Sequence, residues 1–261
     1  MRSVALALLL VSGLLQAQDP PSQAEQDRMI AAMRDYAADY TAKLPNFICE
    51  EVTSQFEGGR KANRWRQGDT LRARLIYSNG REERKLLAVN DTAVAAYHRG
   101  WQKPLTVEGE FGELMIGILA PETAAKFTWS GWDDRDGRHL ARFDYAIDQQ
   151  HSILSLSLSD LSKARVATHG SLWADPQSGA LWRITVEADD IPKAVRTRSS
   201  ATTIEYGQVQ IGGRTYLLPI RAQATVSYEG KTARNEIRFE GYRKFETEST
   251  ITFGDAPQSP K

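Results

Sequence analysis

The chain has 261 residues, 33 of them Lys or Arg and 33 Asp or Glu, so its formal net charge at pH 7 is +0. That balance argues against a dedicated nucleic-acid binder, which carries a marked basic excess. The single cysteine, Cys49, excludes an internal disulfide, and a chain of this length can bury a core of its own.

Residues 1–18 read as an export signal. Arg2 gives a positive start, Val4–Leu15 is an apolar run broken only by Ser12 and Gly13, and Ala17 is a small residue near a cleavage point. Leu15 departs from the small-x-small preference. The run is shorter than the roughly 20 residues of a spanning helix, and no cysteine follows it to carry a lipid. The expectation is a periplasmic or secreted mature chain with no transmembrane segment: one β domain over 19–254 and a disordered, Pro-containing tail over 255–261.

One amphipathic helix is predicted over Ala24–Leu44. Met29, Ile30, Met33, Tyr36, Ala37, Tyr40 and Leu44 recur at helical spacing, with Asp27, Arg28, Arg34, Asp35 and Asp39 opposite. Ser22 stands as N-cap and Pro45 stops the helix. Its polar face mixes both signs of charge, which fits packing across a sheet better than lying on a membrane. Cys49 follows in LPNFICEE, where it reads as a buried, inert thiol.

From Asn46 onward, turn dipeptides punctuate alternating apolar runs: Gly58-Gly59, Asn79-Gly80, Asp136-Gly137, Ser178-Gly179, Gly212-Gly213 and Glu229-Gly230. Such short turns connect antiparallel neighbours only. The expected strands are Phe47–Phe56, Thr70–Tyr77, Lys85–Val89, Phe127–Trp132, His139–Ile147 and Ser152–Leu158. Arg165–Ala174, Ala180–Glu187, Thr202–Gln210, Arg221–Tyr228, Asn235–Phe245 and Ser249–Phe253 follow. Glu50 and Glu51 are adjacent on a strand and should face opposite ways. The basic run from Arg60 to Lys85 reads as a solvated outer face, or as a cationic face for anionic headgroups or an envelope protein.

One segment breaks the strand pattern. In EFGELMIGILAPETAAK, residues Phe111, Leu114, Met115, Ile118 and Leu119 have helical spacing, and Pro121 ends the run. A short, very apolar helix between strands is either a lid or plug over a concave sheet or a permanent part of the core.

No catalytic or metal signature is visible. The histidines His98, His139, His151 and His169 lack ligand spacing, and no second cysteine joins them. Residues 132–137, WDDRDG, fail the calcium-loop register because Trp132 and Phe143 occupy ligand positions. His169 and Ser171 share a strand face without a placed acid or oxyanion donors. The expectation is therefore a protein that is not an enzyme and has no cofactor and no metal; a hydrolytic site assembled from His169 and Asp175 is the remote alternative.

The segment Gly170–Glu187, GSLWADPQSGALWRITVE, is a hairpin with Asp175, Pro176, Ser178 and Gly179 as its turn. Alternation then places Ala180, Trp182, Ile184 and Val186 on one face. Its order of Gly, aromatic, Asp-Pro, turn, Gly and apolar-x-Arg-apolar resembles the central hairpin of the periplasmic lipoprotein-carrier (LolA/LolB-like) superfamily. Tyr206–Val209 with Gly212–Pro219, and Asn235–Phe239 with Tyr242–Phe245, resemble later strands of secreted relatives. The resemblance implies a mainly β fold: a curved, unclosed antiparallel half-barrel with the N-terminal helix and the lid or plug helix on its concave side. It also implies a non-catalytic role, binding a lipid or acylated protein in an apolar concavity. An envelope interaction or sensing module with a self-filled core is the alternative.

Aromatic and aliphatic residues line apolar cavities and cores alike. The candidate cavity residues are Phe111, Leu114, Met115, Ile118, Trp129, Trp182 and Ile184. Trp129 and Trp132 have opposite strand parity, so at least one is expected to leave the inner face.

Overall fold

The structure is a computed structural model that describes residues 19–59, 64–94, 110–157 and 163–245. The expected export signal, the tail, the strand Ser249–Phe253 and the residues His98 and Trp101 lie outside the described residues. Helix α1 (Gln23–Lys43) starts where the Glu25 carboxylate accepts hydrogen bonds from the Ser22 N–H at 2.8 Å and the Ser22 hydroxyl at 2.7 Å. It buries Met29, Met33, Ala37 and Tyr40, the stripe its period dictates.

Strands β1 (Phe47–Gly59), β2 (Trp65–Ser78), β3 (Arg81–Val89) and β4 (Thr92–Ala93) follow. Helix α2 (Glu113–Leu119) and a short turn of tighter helix, Pro121–Thr123, lead to β5 (Lys126–Arg135) and β6 (Arg138–Ile147). A two-strand ribbon comes next, β7 (Ser155–Ser157) with β8 (Lys163–Arg165). Then come β9 (Ala167–Ala174), β10 (Leu181–Asp189), β11 (Thr197–Ile211), β12 (Arg214–Tyr228) and β13 (Lys231–Lys244).

Among the described residues the main sheet has 11 strands in the order β4-β3-β2-β1-β13-β12-β11-β10-β9-β6-β5. All its pairings are antiparallel. The edges β4 and β5 do not pair, so the sheet is an open half-barrel. The chain between β4 and β5 runs from one edge to the other, an arc of roughly 48 Å at the usual strand spacing. That crossover carries α2.

One core cluster joins α1 and α2 to the inner face, with Phe47 and Cys49 from β1, Leu75 and Tyr77 from β2, and Phe143 and Tyr145 from β6. Leu172, Ile184, Ile204, Tyr206, Ile237 and Phe239 belong to the same cluster. Strands this far apart share a core only because the sheet curls round the helices. The alternating runs and short turns predict the antiparallel pairing; the curl is what the resemblance of the central hairpin implies.

Three local readings need correction. A bulge between Leu181 and Arg183 makes Trp182 an extra residue, so Leu181, Ile184 and Val186 point inward and Trp182 does not. Its ring instead lies under the Arg138 guanidinium, 3.8 Å from the centroid. A second bulge between Trp129 and Gly131 puts both Trp129 and Trp132 against the core, with ring centroids 4.9 Å apart. Finally, β12 starts at Arg214 and not Arg221, because Leu217-Leu218-Pro219-Ile220 belongs to a strand without clean alternation.

The hairpin turn after β9 has a second role. Asp175 Oδ1 accepts hydrogen bonds from the Ser178 N–H at 2.7 Å and its hydroxyl at 2.8 Å. Gly179 has φ +70°, and a Cβ there would fall 2.2 Å from the backbone of Ala32. Only glycine lets the turn press against α1.

Candidate functional site: the concave face and helix α2

Gly112, with φ +122°, aims α2 down onto the concave face; a side chain there would strike Thr41 and Tyr40 at the end of α1. Phe111 precedes it and enters a cup of aromatic rings. Its centroid lies 5.4 Å from Phe47, 5.4 Å from Phe239 and 6.1 Å from Tyr77. Phe47 and Tyr77 stack at 5.0 Å and Tyr242 tilts against Phe47 at 5.4 Å. Such edge and tilted contacts add to the burial of a large apolar ring.

Of the seven expected cavity residues, Phe111, Met115, Ile118 and Ile184 are fully buried in this cluster. Leu114 and Trp129 are half-buried and pack against it, Trp129 with its centroid 5.2 Å from Phe143. Trp182 stands apart. On the outer side of α2, Ile153 covers Gly117 and is itself 49% exposed. In this state the concavity is occupied by the chain's own side chains.

A charged cluster borders the aromatic cup. Arg84 on β3 bonds Glu51 at 2.8 Å, Glu82 at 2.8 Å and Glu110, just before α2, at 3.2 Å. Burial pushes the Glu110 carboxyl up to about 8, against the pull of Arg84. Burial also raises Glu82. Arg84 loses by its own burial, but the three carboxylates outweigh that and hold it above the ordinary guanidinium range. Among the described residues Glu110 Oε1 is buried without a hydrogen-bond partner, while the Glu110 carbonyl accepts from the Tyr206 hydroxyl at 2.9 Å. Among the described residues, the start of α2 is therefore tied to the sheet by the Arg84–Glu110 contact and by the Tyr206 hydrogen bond.

The sequence reading missed this cluster, although a signal existed. The Asn79-Gly80 turn pairs Ser78 with Arg81, which sets Tyr77 opposite Glu82 and Leu75 opposite Arg84. Inward Leu75 and Tyr77 thus carry Glu82 and Arg84 inward too. Glu50 and Glu51 do face opposite ways: Glu50 meets Arg72 at 2.6 Å on the outer face, and Glu51 meets Arg84 inside. Of the expected cationic run, Arg66 pairs with Glu57 and Arg72 with Glu50 and Asp91. Arg84 points into the concavity and is not part of an outer face.

Cys49 is buried and free, and burial, with Glu51 nearby, pushes its thiol up to about 12. On the outer face, the Ser171 hydroxyl donates to Asp144 at 2.5 Å and accepts from Arg142 at 3.2 Å. His169 instead meets Asp189 at 2.6 Å. Asp175 is engaged in its turn at the other end of β9. These residues do not form a nucleophile–base pair. Among the described residues no group of three or more His, Cys, Asp or Glu is placed to hold a metal ion, and no helix is long and apolar enough to cross a membrane.

No family model matches the chain, and no curated protein matches it. Solved structures similar to it include a putative outer membrane lipoprotein-sorting protein domain from Vibrio parahaemolyticus, 10% identical, with 88% of this chain and 95% of that one covered and a TM-score of 0.43. A DUF1329 family protein from Desulfovibrio piger is 10% identical, with 90% and 96% covered and a TM-score of 0.35. A LolA superfamily protein from Nitrosomonas europaea is 8% identical, with 85% and 96% covered and a TM-score of 0.34.

Proposed function

We propose that this protein is a non-catalytic extracytoplasmic binding protein that takes an apolar chain, the acyl group of a lipid or of an acylated protein, into the concavity of its half-barrel. The seat of Phe111 carries the reading. A single aromatic side chain, delivered by the crossover and not by the sheet, packs against three rings, Phe47, Tyr77 and Phe239, with Tyr242 against Phe47. An alkyl chain would meet the same rings on withdrawal of α2. Helix α2 contributes no strand to the ladder, so its withdrawal leaves the hydrogen bonding of the sheet intact. The signal-like residues 1–18 support the extracytoplasmic location.

A second reading rests on a specific observation. Phe111, Met115, Ile118 and Leu119 are each 2% exposed or less, as in a core that needs no ligand. In that case the protein is an envelope interaction or sensing module. Native mass spectrometry of protein purified gently from the envelope separates the two. Co-purifying lipid or acylated protein is the expected result; a clean mass of the bare chain overturns the carrier reading and leaves the module.

A further inference from the structure

The outer face of the sheet carries a row of side chains in direct cross-strand register. Arg142 on β6 stands beside Trp173 on β9, then Arg183 on β10, Glu205 on β11, Arg221 on β12 and Arg238 on β13. Four guanidinium groups thus share one row with one carboxylate. Arg142 and Arg183 lie over the Trp173 ring at 5.0 and 5.1 Å. Arg183 bonds Glu205 at 2.7 Å and Arg142 bonds Asp144 at 3.3 Å.

Arg221 and Arg238 are different. They face each other directly on β12 and β13, both exposed, and neither has an ion-pair partner among the described residues. Like charges set opposite each other across a ladder destabilise it. Of the acids that line the space beside them, Glu205 is engaged with Arg183 and Glu236 with Arg234 at 2.9 Å. Between these groups lies a groove of about 380 Å³, within the size range of ligand sites, where Thr203 and Gln223 add neutral donors. Burial is the main cause that holds Arg183 below the ordinary guanidinium range, with Arg135 and Arg142 adding to it against the pull of Glu205 and Asp133.

We infer that this groove is an anion site for a phosphate group, held between the guanidinium forks of Arg221 and Arg238. Phosphate offers acceptor oxygens on several sides, which suits two planar forks approaching from neighbouring strands. A bound phosphate also removes the repulsion that the register imposes on the two arginines. The site lies on the face of the sheet opposite α2, so it stands independently of the acyl-chain reading. A phospholipid headgroup and a soluble phosphate share this chemistry.

The test uses the full chain with two probes: inorganic phosphate by isothermal titration calorimetry, and co-sedimentation with vesicles of pure phosphatidylglycerol. The variants are Arg221→Gln with Arg238→Gln, and Arg214→Gln as a control on an exposed arginine outside the groove. Circular dichroism checks that each variant folds. The expected result is binding by the wild type and by Arg214→Gln, weakened at least tenfold in the double variant. Vesicle binding without measurable affinity for free phosphate identifies a headgroup site, whereas comparable affinity for free phosphate identifies a soluble ligand. Failure of the wild type to bind either probe at low ionic strength overturns the inference, as does a folded double variant that binds as well as the wild type. A Leu114→Asp variant retains phosphate binding, so loss of acyl-chain binding there leaves this site unaffected.

Discussion

Arg84 and Glu110 meet between β3 and the start of α2, with the guanidinium Nη2 3.2 Å from the carboxylate, and Glu51 and Glu82 compete for the same arginine. Ionised Glu110 therefore adds a third negative charge to a buried cluster with one cation. Its folded pKa of about 8 lies above the unfolded value near 4.5. Stability from this group is full below pH about 4.5 and falls as pH rises toward 8, because the native state there binds more protons than the unfolded chain. Urea denaturation between pH 5 and 9 should show that loss, of order a few kcal/mol, with Arg84, Glu82 and Glu51 as the charged groups acting on the carboxyl. Glu110→Gln should flatten the slope. An unchanged slope in that variant would place the titration elsewhere.

Helix α2 offers two positions with opposite expectations. Leu114 is half-buried and Ile118 is 2% exposed. Leu114→Asp should keep cooperative unfolding while weakening binding of a fluorescent fatty acid. Ile118→Asp buries an unpaired carboxylate at a cost of several kcal/mol, comparable with the whole stability of a domain, about 5–15 kcal/mol. That variant should lose its folded near-UV circular dichroism. A well-folded Ile118→Asp protein would mean that α2 leaves the concavity even without ligand.

Phe111 fills its aromatic cup with 1% of its surface exposed. Phe111→Ala should cost about 3–5 kcal/mol in urea denaturation, the range for removing a buried aromatic side chain. A cost under about 1 kcal/mol would show that the cup collapses or rehydrates easily.

Gly179→Ala places a Cβ 2.2 Å from the α1 backbone and forces an alanine to φ +70°. The expected loss is about 2 kcal/mol or more, read as a lowered Tm. The opposite edge of the molecule should be unaffected, since Arg84 and Glu110 are not in contact with that turn.

The Cys49 thiol, pushed up to about 12 and 2% exposed, should resist a thiol-reactive disulfide reagent in the native state and react fully in denaturant. Rapid native labelling would require the α1–β1 region to open.

The strand series was legible because two-residue turns and period-2 alternation are local properties, and the α1 stripe likewise. Bulges were not. One extra residue at Trp182, and another beside Trp129, reverses the parity of everything beyond it; the first has no compositional mark, and the second is marked only by Gly131 within the strand, at φ +127°. Met115 and Ile118 were recognisable as one apolar helix face, and the core receives that face; Phe111, whose spacing assigned it to the same helix, lies before the N-cap Gly112 and reaches the core from there. The Arg84 cluster was half legible: turn register points Glu82 and Arg84 inward, but the arrival of Glu110 depends on a crossover whose path no local pattern encodes. The arginine row was invisible for the same reason, since its members come from six strands brought into register only by the finished ladder.

The position of β13 between β1 and β12 bears on how the chain is made. Until β13 is synthesised, the described sheet exists as two pieces, β4-β3-β2-β1 and β12-β11-β10-β9-β6-β5, with no ladder between them. Synthesis at about 5–20 residues per second leaves β1 and β12 with bare edges for seconds, and bare edges recruit other strands. Final closure by such distant pairing is intrinsically slow. A chain truncated before β13 keeps two half-sheets with bare edges and no ladder between them, held only by side-chain packing around the helices, so β13 acts as the keystone of the sheet.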